Sequence, residues 1–515
     1  MVDRVSHADV LIAGAGPTGL VLAVWLTKLG LRVRIVDKAA EPGTTSRALA
    51  VQARTLEFYQ QIGLSQAVVD RGHKVPAINL WVKGRRAARV PLANLGQGLT
   101  SFAFPLIFPQ DEHERLLIER LQQLGVEVER PVELTGFEET GGRIRATLSR
   151  PGTEEICTAA YLAGCDGARS TVRETIGAGF PGGTYDHLFY VADVEAAGAP
   201  VNGELHVDLE DAEFLAVFPL KGTGRARLIG TVREDAARDH QPLQFDDVSD
   251  RAIQHLNIAV RRVNWFSTYR VHHRVANTFR KGRAFLLGDA AHIHSPVGGQ
   301  GMNTGIGDAV NLAWKLAAAL KTPSGETLLD SYEPERKAFA RRLVASTDRA
   351  FTAVVNPGAL ARFVRTRLIP ALAPILFRVP PVRRAAFRTV SQTAVNYRGS
   401  LLNFGTAGRI HGGDRLPWVR VGSPETEEFN FAALDSLDWQ FHVYGDVTAD
   451  VRELADRRKI PLHVFGWQSG MKAAGLKRGA VYLVRPDGYV GLACADSSAA
   501  AIEHYLNDKK IGPIK

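Results

Sequence analysis

The run Gly14-Ala15-Gly16-Pro17-Thr18-Gly19 has the glycine spacing of a turn that accepts a pyrophosphate. Gly14 permits the tight turn, Gly16 lets a phosphate approach the main chain, and Gly19 lets the following helix pack on the preceding strand. The helix start adds unpaired N–H groups and the positive end of its dipole. Asp37, followed by Lys38, lies 23 residues after Gly14 (37 − 14), where an acid binds an adenosine ribose. A glycine turn alone is weak evidence. Strand, helix and acid in register favour dinucleotide binding over a merely structural turn.

Two other segments carry chemistry of the same kind. Ala163-Gly164-Cys165-Asp166-Gly167-Ala168-Arg169-Ser170 and Arg283-Ala284-Phe285-Leu286-Leu287-Gly288-Asp289-Ala290-Ala291-His292 each end a predicted strand on an acid-glycine pair. Ligands of open α/β sheets bind at the carboxyl ends of the strands. Either segment alone reads equally well as a turn; in this order, after the opening motif, they are specific.

These residues need a frame. Asp9–Ala13 reads as a buried strand, Leu20–Leu29 as a helix and Leu31–Val36 as a second strand, a βαβ unit of a parallel sheet. Asp111 and Glu114 have capping-box spacing ahead of the stripe Leu116, Leu117, Leu121 and Leu124. From Tyr185 to Tyr269 the texture becomes antiparallel, with Phe214–Leu220 and Ala226–Val232 meeting at a Lys221–Gly224 turn. Parallel-type signal returns at Ala284–Leu287, followed by a glycine-rich loop and a helix from about Asn303 to Leu320. A last unit alternates strands and helices from Trp439 to Leu506.

At this point the chain resembles the FAD-dependent aromatic hydroxylases, the single-component (group A) flavoprotein monooxygenases. It matches the subgroup of phenol, pentachlorophenol and aromatic polyketide hydroxylases that ends in a thioredoxin-like domain. The motifs are GAGPTG, CDGARS and GRAFLLGDAAH followed by SPVGGQGMNTG. The resemblance spans essentially the whole chain and is weakest from Phe351 to Leu416. It implies an α/β fold: an FAD-binding, Rossmann-like sheet of glutathione-reductase type, an inserted antiparallel substrate-domain sheet and a C-terminal thioredoxin-like domain. The expected organisation is FAD-binding residues 1–180 (with 75–105 contributing to the substrate domain), substrate sheet 181–279, FAD-binding residues 280–350, connecting helices 351–411, and thioredoxin-like residues 412–515.

The resemblance also assigns roles. Asp37 corresponds to the adenosine ribose ligand, and Arg47 to the arginine that contacts the pyrophosphate and steadies the isoalloxazine. Gln110 and Asp289 correspond to ligands of the ribityl region, and Asp166 to a motif serving both FAD and NADPH. Pro296, Gly298, Gly299, Gly301 and Met302 are expected beside the flavin ring, where a glycine-rich helix start stabilises negative charge. Lys38 and Gly288 complete the cofactor set. The implied reaction uses NADPH (or NADH) and O2 to hydroxylate a phenolic or polyketide-like ring through a flavin C4a-hydroperoxide. No side-chain nucleophile or metal is required. Baeyer–Villiger oxygenation on the same scaffold, or a non-catalytic FAD protein that shields a reactive intermediate, are the alternatives.

Other residues are weighed against blander readings. His292 and His294 form an HxH without further ligands, so a structural histidine beside the flavin loop outranks a metal site. His272 and His273 share a predicted strand, so only one faces a pocket. Phe218 and Leu220 lie on one strand face and, with Pro296, are assigned to an apolar substrate. Arg362, Arg365, Arg367, Arg378, Arg383, Arg384 and Arg388 read as solvated helix faces.

Composition bounds the rest. The 515 residues carry 63 Lys+Arg against 54 Asp+Glu, a net +9, with 45% apolar and 23% charged residues. That balance excludes disordered and fibrous classes. The basic excess alone does not sustain nucleic-acid binding, for no aromatic-interleaved groove accompanies it. Three widely spaced cysteines, Cys157, Cys165 and Cys494, give no CxxC, so the last unit is expected to be redox-inactive and the chain cytoplasmic. Val10–Leu26 is broken by glycines and Leu368–Val382 by prolines, so no membrane segment is expected. A homodimer is compatible with these features.

Overall fold

The computed structural model describes residues 5–43, 48–209, 214–232, 243–248, 250–295, 298–321, 325–355, 358–422 and 427–514. Arg47 and Pro296 lie outside them. The opening strand Val5–Ala13 pairs in parallel with Val33–Val36 on one side and Thr153–Gly164 on the other. Ala284–Leu286 extends the parallel sheet beyond Thr153–Gly164, and Val128–Glu129 extends it beyond Val33–Val36. The first helix, Pro17–Lys28, buries every residue from Gly19 to Leu26. It is apolar all round because sheet, the helix Gly301–Lys321 and the helix Gln110–Gln123 surround it. Each fully buried Leu or Val there contributes about 1.5–3 kcal/mol.

The second sheet is built on two long antiparallel strands, Gly182–Ala197 and Ala259–Val275, followed by Arg225–Thr231, Leu215–Pro219 and Leu205–Asp208. Ala77–Val82 and Arg85–Pro91 complete one edge, and His292–Ile293, from the loop after the parallel sheet, pairs at the other. The chain enters this sheet from the parallel one three times, at Ala77–Pro91, at Gly182–Val275 and at His292–Ile293, which stitches the two together.

The last sheet runs, in order, Ile410–His411, Phe404–Ala407, Val490–Cys494, Val481–Val484, Gln440–Tyr444 and Leu462–Phe465. Its first two strands precede residue 412, where the sequence reading starts this unit. The glycine-interrupted Phe404-Gly405-Thr406-Ala407 gives no period-2 signal, and its pairing with Leu492 and Ala493 on one side and with Ile410 and His411 on the other defines it as strand. The capping box is also revised. Pro109 caps the helix Gln110–Gln123 without a side-chain bond, Asp111 pairs with Arg115, and Glu114 accepts from Gln110 Nε2 at 2.8 Å. Cys157, Cys165 and Cys494 are all free thiols.

Candidate active site

The glycine turn is locked from both sides. Gly14 has φ +98°, its N–H donates to Val36 O at 2.8 Å, and a Cβ there would lie 2.3 Å from Cys165 O. A Cβ on Gly19 would lie 2.0 Å from Gly14 O, so helix and turn touch main chain to main chain. Gly16 differs: nothing lies within 4 Å of its Cβ direction, which opens into the cleft. Asp37, at the end of the strand Val33–Val36, accepts from Ala15 N at 2.7 Å and Ala39 N at 2.8 Å, and Arg130 lies 3.2 Å away. The acid thus stands over the turn, held by donors.

A single cavity of about 1020 Å³ runs from this turn into the second sheet. Its polar end is lined by Gly16, Pro17, Thr18, Gln110, Cys165, Gly167, Ala168 and Asp289, and its floor by Gly298–Met302. Its far end is apolar, with Val75, Ile78, Leu92, Phe104, Phe218, Ile229 and Trp265, and is roofed by Phe377, Phe387 and Val390. Arg270, His272 and His294 stand among the lining residues of the same cavity.

The loop 298–302 owes its shape to glycine. Gly298 and Gly299 adopt φ +78° and +61°, a region costly for other residues. Asn303 clamps it, donating through Nδ2 to Gly299 O and Ala50 O, both at 2.8 Å. Its Oδ1 accepts from Gln52 N and from the Thr55 hydroxyl. Behind the loop Asp308 is fully buried. It accepts from Gly288 N at 3.0 Å and from Arg336 Nε at 2.5 Å, with His292 Nε2 at 2.7 Å. Burial would raise its carboxyl, but the Arg336 guanidinium and His292 outweigh that and hold it below the usual carboxylate range. The Gly288-Asp289 turn is thereby fixed to the helix Gly301–Lys321.

His294 Nδ1 lies 2.8 Å from Ser295 O and must carry the proton, leaving Nε2 as a buried acceptor with no protein partner. Burial pushes this imidazole down to about 4, so it is neutral at physiological pH. Asp166 is similar: Oδ2 accepts from Val172 N at 3.1 Å, while Oδ1 is buried and unpartnered, and burial raises its carboxyl.

Most of the residues singled out in the sequence meet here. Gly16, Pro17, Thr18, Gln110, Asp289, Gly298, Gly299, Gly301, Met302 and Phe218 line the cavity. Gly14, Gly19 and Asp37 shape or overlook the turn, Gly288 supports Asp289, and Asp166 lies beside the lining residues Cys165 and Gly167. Two depart. Lys38 points its ammonium to Glu133, 3.8 Å away on the surface, and Leu220 is buried in the wall with Phe387 without reaching the cavity. Three further candidates emerge: Asn303, which the sequence places only within a motif, His294, which reads there only as a structural histidine, and Asp308, which lies unmarked in the predicted helix. For Asn303 and Asp308 the signal is polarity at positions the helix Gly301–Lys321 buries.

These features fit a flavin dinucleotide. A cradle open at Gly16, an acid at the end of the second strand, unsatisfied buried acceptors and a glycine loop at a helix N-terminus are the features such a group requires. The fold and site define a flavin-dependent oxidoreductase. Residues 7–347 match the family model described as FAD binding domain. The chain is 38% identical over 422 residues to the 6-methylpretetramide 4-monooxygenase of Streptomyces rimosus, covering 80% of this chain and 74% of that protein. It is 35% identical over 370 residues to a rifampicin monooxygenase of Rhodococcus hoagii, covering 71% and 75%. The solved anhydrotetracycline hydroxylase OxyS of Streptomyces rimosus superposes with a TM-score of 0.78 at 28% identity, over 97% of this chain and 98% of that one. The chain belongs to the FAD-binding-domain family of aromatic monooxygenases. It is an FAD-dependent monooxygenase, with O2 and reduced nicotinamide nucleotide as co-substrates.

Proposed function

We propose that this enzyme hydroxylates a phenolic, multi-ring substrate of polyketide type. The observation that supports the reading is the continuity of one cavity, from a dinucleotide turn past a glycine loop into an apolar chamber. Its relatives act, by their names, on 6-methylpretetramide, anhydrotetracycline and rifampicin.

In this reading Gly14, Gly16 and Gly19 place main-chain N–H groups and a helix start against the pyrophosphate. Asp37 holds the adenosine ribose, and Gln110 and Asp289 hold the ribityl chain. Arg47, outside the described residues, contacts the pyrophosphate. Asp166 serves the same cofactor region. When bound, FAD supplies the redox chemistry, taking a hydride from NADPH and delivering one oxygen atom of O2 to the substrate ring.

The protein's own work is positional. Asn303 and Asp308 fix the loop 298–302 and the Gly288-Asp289 turn, so the N-terminus of the helix Gly301–Lys321 faces the ring site and stabilises negative charge there. Phe218, Ile229 and Trp265 hold the substrate by apolar contact. Phe377 and Phe387 exclude water, which protects the reactive oxygen carrier from wasteful release of peroxide. His294 Nε2, a neutral acceptor, can hold a substrate hydroxyl by accepting its hydrogen bond.

The test is a panel of multi-ring phenols offered to the FAD-loaded enzyme with NADPH. A true substrate accelerates NADPH oxidation and yields a hydroxylated product in matching amount. Acceleration by simple monocyclic phenols alone would contradict the assigned substrate class.

A further inference from the structure

Between Asp348 and Asp414 the sequence holds no acidic residue. That stretch folds into four successive helical segments, Ala359–Phe363, Val364–Leu368, Ile369–Leu376 and Pro380–Val390, and Phe377, Ala386, Phe387 and Val390 toward its end roof the cavity. Ten of the thirteen exposed large hydrophobic side chains among the described residues fall between Leu360 and Val390. Leu360, Phe363, Leu368, Leu372 and Ile375 recur at intervals of three to five residues through the first three segments as an exposed apolar stripe, with Leu360 78% and Ile375 58% exposed. Arg362, Arg367, Arg378, Arg384 and Arg388 are exposed among them. The inner face is different, for Phe377 and Phe387 point to the cavity and Val390 O accepts from Gln300 Nε2 at 2.9 Å. Packing on the protein therefore does not account for the outer stripe.

We propose that this roof is a docking surface for the headgroup region of an anionic lipid bilayer. A stripe of Leu, Ile and Phe flanked by arginines, with no carboxylate, is the composition that lies in the plane of a membrane interface. The apolar side chains enter the acyl boundary while the guanidiniums meet lipid phosphates, each basic group adding to the attraction of a negative leaflet. None of the described helices is long and apolar enough to cross a membrane, so the contact is peripheral. A second copy of the chain fits poorly. A two-fold contact would set these arginines against their own symmetry mates, with no acid from the same patch to receive them. A peripheral contact of this kind is compatible with the absence of a membrane-spanning helix among the described residues. It does not depend on which substrate the cavity takes.

The test is flotation of the FAD-loaded protein with vesicles of phosphatidylcholine alone or of equal parts phosphatidylcholine and phosphatidylglycerol. The anionic vesicles should carry at least about tenfold more protein, an excess reduced by salt. The double variant Leu372→Glu/Ile375→Glu should lose at least about tenfold of that binding, with flavin absorbance and circular dichroism unchanged. Three results would overturn the proposal: protein left in the soluble fraction at both compositions, a variant that floats as well as its parent, or light scattering showing that the substitutions only split a dimer.

Discussion

Arg485, on the turn between Val481–Val484 and Val490–Cys494, sets its guanidinium on Glu335 of the helix Tyr332–Val355. The two contacts are 2.8 and 3.0 Å, and both side chains are fully buried. Asp487 takes the other edge of the guanidinium at 2.6 Å, and Lys315 reaches the same Glu335 at 2.9 Å. Trp314 packs edge-on against Trp439 beside them, 5.4 Å between ring centres. The terminal sheet is thus latched onto the helix Gly301–Lys321, whose other end begins in the glycine loop 298–302. Burial would raise the Glu335 carboxyl, but Arg485 and Lys315 hold it far below its ordinary range.

Removing one member of this cluster leaves uncompensated buried charge. Arg485→Met is expected to cost about 3–5 kcal/mol, read as a lower urea midpoint, since buried pairs broken from one side cost that much. An unfolding curve matching that of the parent would show that the latch is not structural.

The glycine turn separates folding from binding. Gly14→Ala forces a Cβ onto Cys165 O at positive φ, and should lower both stability and FAD content. The Cβ of Gly16→Val meets no protein atom within 4 Å, so the protein should fold as the parent does yet bind FAD at least about tenfold more weakly, the effect of about 1.4 kcal/mol. Isothermal titration of the stripped protein checks both, and undiminished affinity in Gly16→Val would contradict the assignment of the cleft.

Much of this was legible in the residues themselves. The opening βαβ unit follows from glycine spacing, β-branched strands and Asp37, because those constraints act within some thirty residues. The Lys221–Gly224 turn joins Leu215–Pro219 and Arg225–Thr231 as alternation requires. What escaped depends on distant partners. Asp111 has capping-box spacing yet pairs with Arg115, because Pro109 already starts the helix. Arg485 reads as the polar end of a strand until Glu335, 150 residues away, is seen to cover it. Phe377 and Phe387 wall the cavity from the stretch least similar to known hydroxylases, where spacing carries no signal of a pocket.

Asp308→Asn should loosen the Gly288-Asp289 turn by removing charge that faces Arg336 and His292. An uncompensated buried guanidinium predicts a loss of about 3 kcal/mol or more, with FAD retained less tightly than in the parent. Parent-like flavin retention after gel filtration would remove Asp308 from the positioning network.

Acid should weaken the fold before the carboxylates titrate. Burial pushes His113 down to about 3 and His294 to about 4, whereas an unfolded histidine takes its proton near pH 6.5. Below that pH the unfolded chain binds more protons, so stability falls as pH falls from about 6.5 toward 4, by about 1.4 kcal/mol per pH unit for each histidine. His113→Gln should flatten the pH dependence of the urea midpoint between pH 6.5 and 5. An unchanged slope would exclude His113 as a contributor.

Oxygen transfer to a substrate ring within the cavity is tested most directly by isotope labelling. The FAD-loaded enzyme is given NADPH, a multi-ring phenol that stimulates turnover, and heavy-isotope O2. The predicted product carries one labelled oxygen as a new hydroxyl on a ring carbon, in step with NADPH consumed. Label found only in hydrogen peroxide for every phenol that stimulates oxidation, or in the ring of an ester, would contradict it.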